Sequence, residues 1–141
     1  MIGLTAGLYA QSADNNFFVI GSVSDDLDMI QIQMRYQGDP NALFIEESET
    51  SGCEQITDAI KDLIINELHI FVRNDNNRLF IDDLALTSTN VADLSDQLVQ
   101  WKNSVTGKVV IHNNSGSISS DLSELLAKMR SITGLNIELV Y

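Results

Sequence analysis

The sequence predicts a single α/β domain with a mostly parallel sheet and helices on both faces. Three observations lead there. Short apolar runs with the length of buried strands alternate with segments whose apolar residues fall at helical spacing. Turn residues separate the two kinds of segment at nearly every junction. The chain has 141 residues and 44% hydrophobic content, which suits one core. Repeated strand–helix–strand order favours parallel pairing, because right-handed crossovers return each helix onto the sheet. Residues 1–141 therefore read as one domain, with residues 1–13 as an N-terminal arm or strand.

Phe17-Phe18-Val19-Ile20, after Asp14-Asn15-Asn16, has the length and apolarity of a buried strand. Ser24-Asp25-Asp26 supplies a cap and an acidic first turn for a helix with Leu27, Ile30 and Met34 at helical spacing. Ile30, Ile32, Met34 and Tyr36 also alternate as a strand would, so both readings stand. Gly38-Asp39-Pro40 ends that element. Ala42-Leu43-Phe44-Ile45 is a second strand, and an acidic loop runs from Glu46 to Ser51. Ile56, Ile60, Leu63 and Ile64 form a helical stripe. Leu68-His69-Ile70-Phe71-Val72 is a third strand, Asn74-Asp75-Asn76-Asn77 a turn, and Leu79-Phe80-Ile81 the return of a hairpin. Asn90 to Val105 reads as one helix, with Val91, Leu94, Leu98 and Trp101 on a face and Asp93 in its first turn. Lys108-Val109-Val110-Ile111 is a fourth strand. Ser120-Asp121 opens a helix burying Leu122, Leu125, Leu126, Met129 and Ile132, which Thr133-Gly134 stops. Ile137-Glu138-Leu139-Val140 is the last strand.

Eight basic residues face twenty acidic ones, a formal net charge of −12. Such a surface repels phosphates and anionic headgroups, which excludes nucleic acid as a partner. It promotes solubility, and beyond that it suits a basic partner or Ca²⁺. Acidic clusters occur at Asp25-Asp26-Asp28, Glu46-Glu47-Glu49 and Asp82-Asp83, but none has the spacing of an EF-hand loop. Cys53 is the one cysteine, so no intrachain disulfide can form, and with only His69 and His112 it cannot complete a zinc cluster. No apolar run approaches the ~18 residues of a membrane span, so no membrane insertion is expected. Met1 to Ala13 is uncharged and lacks the basic flank of a secretion signal. No cofactor is expected, because GxGxxG, GxxxxGK and GxSxG are all missing from the sequence.

Ligands of open parallel sheets gather beyond the carboxyl ends of the strands. Two loops meet that description: Arg73-Asn74-Asp75-Asn76-Asn77 after Val72, and His112-Asn113-Asn114-Ser115-Gly116 after Ile111. The candidate cleft residues are Arg73, Asn74, Asp75, His112, Asn113, Asn114 and Ser115. His112 could serve as a base near Ser115 or Ser117, or be an ordinary polar side chain at a strand end. His69, inside an apolar strand, reads as a satisfied core histidine. Cys53 opens a helix, where a thiol pKa can fall. A buried structural cysteine is the plainer reading. Trp101 reads as core.

Several motifs in register give the chain a resemblance. Gly52-Cys53-Glu54-Gln55-Ile56-Thr57, Leu68-His69-Ile70, Asp96-Gln97-Leu98 with Trp101, and Leu126 to Leu135 with Thr133-Gly134 match a bacterial family, domain of unknown function 4347. The similarity runs from about Phe17 to Val140. That family is similar to the caspase and gingipain hydrolases, and its members often stand near the start of very large secreted or surface repeat proteins. The resemblance implies a three-layer, caspase-like (flavodoxin-like) sandwich. It also implies a His–Cys dyad, in an S-H-G and a Y-G-C motif. Here the matching positions hold Val72-Arg73-Asn74 and His112-Asn113-Asn114. Arg73 is no base at ordinary pH and Asn114 carries no thiolate. The expectation is a chain that is no enzyme and serves a protein partner or its own self-association. An apolar arm, Ile2 to Ala10, and a C-terminal strand ending at Tyr141 invite strand pairing. The compartment is cell-surface or secreted if the chain belongs to a large family protein, and cytoplasmic otherwise.

Overall fold

A computed structural model describes residues 15–21, 27–46, 50–75, 78–82, 85–113 and 120–140. At Arg73, Asn74, Asp75 and Asn113 it describes the backbone alone. Five strands pair in parallel: β1 (Asn16–Ile20), β2 (Ala42–Phe44), β3 (Ile65–Asp75), β6 (Val105–Asn113) and β7 (Asn136–Val140). Their spatial order is β2-β1-β3-β6-β7. β3 runs on past its parallel partners and pairs antiparallel with β4 (Arg78–Phe80), which pairs with β5 (Ala85–Leu86). The helices are α1 (Leu27–Tyr36), α2 (Gly52–Ile60), α3 (Ser95–Leu98) and α4 (Ser120–Thr133).

The strand alternation sorts side chains onto two faces. Phe17 and Val19 of β1, Leu68, Ile70 and Val72 of β3, Val109 and Ile111 of β6, and Ile137 of β7 join one large core. α2 adds Cys53, Ile56 and Ile60 to it, and α4 adds Leu122, Leu125, Leu126 and Met129. The opposite face holds a smaller core of Ile20, Met29 and Phe71, packed by Phe18, Ile32, Tyr36 and Phe44. A three-layer α/β sandwich results, with α1 on one face and α2, α3 and α4 on the other.

The uneven layers follow from topology. The crossover from β1 to β2 runs one way across the sheet. Those from β2 to β3, β3 to β6 and β6 to β7 run the other way. Right-handed connections in opposite directions lie on opposite faces. One helix therefore covers the second face, and no described helix lies there over β6 and β7. The outward residues of that half include the polar Glu67, His69, Lys108, His112 and Glu138, as a wetted face requires, with Val110 buried among them.

Four local expectations are corrected. α1 is a helix, and its inward stripe is Met29, Ile32 and Tyr36, while Met34 is 68% exposed. α2 ends at Ile60, and Ile64 is 64% exposed. The chain turns there, with the Leu63 amide donating to the Ile60 carbonyl at 2.9 Å, to start β3. β3 and β6 extend beyond the runs that announced them, because polar residues also pair at strand ends. The single helix expected from Asn90 is three short pieces: a 3₁₀ turn Val91–Leu94, α3, and a 3₁₀ stretch Val99–Asn103. Its inward residues pair three apart, Val91 with Leu94 and Leu98 with Trp101, which a 3₁₀ turn stacks directly. Ser95 Oγ donates to the Ala92 carbonyl at 2.6 Å, a local bond that competes with the α-helical ladder.

Trp101 is fully buried and donates through Nε1 to Thr57 Oγ1 at 2.9 Å. That bond ties the broken helical stretch to α2. The Ser104 hydroxyl adds a second tie, donating to the Ile60 carbonyl at 2.6 Å. The calls on the arm Ile2 to Ala10, on Ser24-Asp25-Asp26, and on Asn114, Ser115 and Tyr141 lie outside the described residues.

Candidate functional site

Crossovers diverge between β1 and β3, so the carboxyl ends of these strands form the switch point where open α/β sheets bind ligands. Here the hairpin β4–β5 occupies that place. The Gly21 amide donates to the Phe71 carbonyl at 2.8 Å. A Cβ at Gly21 would stand 2.9 Å from that oxygen and 3.2 Å from the Ile81 carbonyl, so the chain leaving β1 has no room for a side chain. The Asp82 carboxylate, just beyond β4, accepts from the Gly52 amide at 2.6 Å, and Ser51 Oγ accepts from the Glu54 amide at 3.1 Å. Together they satisfy exposed amides at the start of α2.

Beside this junction opens a cavity of about 210 Å³. Cys53, Ile81, Leu86 and Leu94 give it apolar walls, and Asp82 and Asp93 add carboxylates. The Cys53 thiol is 3% exposed, and burial, with the Asp82 charge behind it, pushes its pKa up to about 12. A helix N-terminus alone would lower that pKa. Desolvation outweighs it here, and the thiol stays protonated.

The sequence candidates divide between two places. Val72 pairs with Asn113 in the β3–β6 register. Arg73 follows Val72 and its backbone pairs with Phe80 of β4. The expected cleft residues Arg73, Asn74 and Asp75 thus form the end of β3 that pairs with β4, and Asn113 ends β6 alongside. Asn114 and Ser115 lie outside the described residues.

His112 belongs to a different constellation, on the polar face of the sheet. His69 Nδ1 and His112 Nε2 are 2.9 Å apart, and His69 Nε2 stands 3.0 Å from Glu67 Oε1. The carboxylate accepts from His69 Nε2–H. His69 Nδ1 then carries the lone pair and accepts from His112 Nε2–H, a tautomer assignment fixed by the network. The ring centres are 5.2 Å apart, so the rings lie end to end with the shared proton between them. A metal ion inserted on that line would need roughly 4 Å between nitrogens, given Zn–N bonds of about 2.0–2.1 Å. Among the described residues no group of three His, Cys, Asp or Glu could hold a metal. Phe71 stacks on His112 at 4.3 Å, and Phe18 on His69 at 5.3 Å. Burial, helped by the neighbouring His69, lowers the His112 pKa to about 4.

Sequence reasoning missed this Glu67–His69–His112 chain, because 43 residues separate the two histidines. His69 pairs with Val110 and Phe71 with His112, so the histidines are diagonal neighbours on one face. Their even offset within paired strands was the available signal, and it needs the register to be read.

The family described as domain of unknown function (DUF4347) matches residues 18–139, most of the chain. No curated protein and no solved structure matches it.

Proposed function

We propose, from the premise that the chain belongs to the DUF4347 family, that it is a non-catalytic domain that binds a protein partner. The observation carrying this reading is the state of its thiol. The chain has one cysteine, and that cysteine is buried with its pKa pushed up to about 12. The thiolate is the nucleophile in cysteine hydrolysis. His69 and His112 are engaged with each other and with Glu67, so neither is paired with Cys53. The resemblance to caspase-type hydrolases adds to this, since its base and nucleophile positions carry Arg73 and Asn114. The acid-rich surface favours a basic partner.

Incubating the purified protein with a mixed peptide library, followed by mass spectrometry, tests the reading. Peptides recovered bound and intact are the expected result. Thiol-dependent cleavage lost in Cys53→Ala or Asn114→Ala overturns it, and so does a library neither bound nor cut.

A second reading is self-assembly through β7, which ends the parallel sheet opposite β2 among the described residues. Unpaired strand edges add strands from other chains. A monomer in light scattering at high concentration removes it.

A further inference from the structure

We propose that the cavity between α2, the β4–β5 hairpin and the 3₁₀ turn Val91–Leu94 receives a single long cationic side chain, lysine or arginine, from the partner. This deepens the binding-domain reading and rests on it. Size comes first. The cavity holds about 210 Å³. An apolar cavity of about 150 Å³ already admits benzene, whereas sites for drug-sized ligands run about 300–1,000 Å³. A volume of that size matches one inserted side chain.

The lining then selects the type of side chain. Ile81, Leu86 and Leu94 give apolar wall to a methylene stem. Asp93, exposed on the first 3₁₀ turn, and Asp82, at the end of β4, give negative charge to its tip. Lysine and arginine combine those two halves. An acidic side chain would meet both carboxylates and a net charge of −12. A wholly apolar one would bring no opposite charge to Asp93 or to Asp82, whose carboxylate already accepts from the Gly52 amide. The buried Cys53 thiol, protonated up to about pH 12, leaves that part of the wall uncharged.

Position agrees with this. The cavity opens beside the carboxyl ends of β1 and β3, the part of a doubly wound sheet where ligands collect. The hairpin fills the crevice itself and moves the available space sideways, over the start of α2.

Fluorescence anisotropy with a labelled hexapeptide carrying one central arginine tests the assignment against the same peptide with citrulline, which keeps the shape and loses the charge. The arginine peptide is expected to bind at least about tenfold more tightly, as one charge-assisted contact allows. Asp93→Asn should remove most of that preference, and Leu94→Trp, which fills the cavity, should abolish binding. Trp101 emission verifies that Asp93→Asn stays folded, and Leu86→Phe provides a second filling variant. Equal affinity for the two peptides, or unchanged binding by Asp93→Asn, overturns the proposal. A library peptide that still binds intact to Leu94→Trp would sink the cavity assignment and leave the binding-domain reading standing. Cleavage of the arginine peptide would sink that reading instead.

Discussion

Single residues here are set by burial more than by sequence neighbours. Cys53 sits at the start of α2, where the helix would favour a thiolate, yet enclosure keeps it a thiol. His112 shows the same balance for a base. Its pKa falls to about 4, below the ordinary 6.5. Between those values the unfolded chain binds a proton that the folded chain refuses. Stability therefore rises with pH through this window and is lost as pH falls. The ring is half-buried, so solvent screening reduces the effect to the order of 1 kcal/mol. Urea unfolding at about pH 7 and about pH 4.5 measures it, and His112→Phe should flatten the dependence by that amount. An equally steep loss in the variant would assign the slope to carboxylates elsewhere.

Elements show where pattern reading succeeds and where it fails. α4 follows its apolar stripe, and Gly134 at φ 71° ends it as the sequence implies. The stretch from Asn90 carries an equally regular stripe but breaks into 3₁₀ and α turns, because spacing of three and four residues serves both helix types. The start of β6 holds a bulge. Between the pairs Ile65–Val105 and Glu67–Lys108, β6 spends one residue more than β3. Gly107 lies in it, and a Cβ there would stand 2.4 Å from the Asn66 carbonyl oxygen. Gly107→Ala must displace backbone, at a cost of about 1–3 kcal/mol. A lower urea midpoint followed by Trp101 emission is the expected outcome. An unchanged midpoint would mean that the bulge opens freely.

Across the whole molecule, charge and topology act together. A net charge of −12 on 141 residues repels itself. Raising ionic strength from about 0.01 M to about 1 M shortens the screening length from about 30 Å to about 3 Å. Thermal unfolding should move upward by a few degrees, of the order of 4 °C, over that range. A downward shift would show that attractive pairs, such as Lys108–Glu138 at 3.1 Å, outweigh the repulsion. Topology decides where polar residues stand. Three crossovers share one face, so the other is half covered, and Glu67, His69, Lys108, His112 and Glu138 occupy the open part.

The sequence by itself determined the order of the five parallel strands along the chain, the parallel α/β class, most of the core and the acidity, since each rests on local period or on a count. The same local reading put Arg73 and Asn113 in loops beyond the strand ends, whereas both pair within β3 and β6. Tertiary structure alone decided that Glu67, His69 and His112 form one hydrogen-bonded chain, that the β4–β5 hairpin fills the switch point, and that Cys53, Asp82 and Leu94 border one cavity. Those meetings join residues from separate strands, helices and turns. Register and crossover direction bring them together, and neither is written in the period of any one segment.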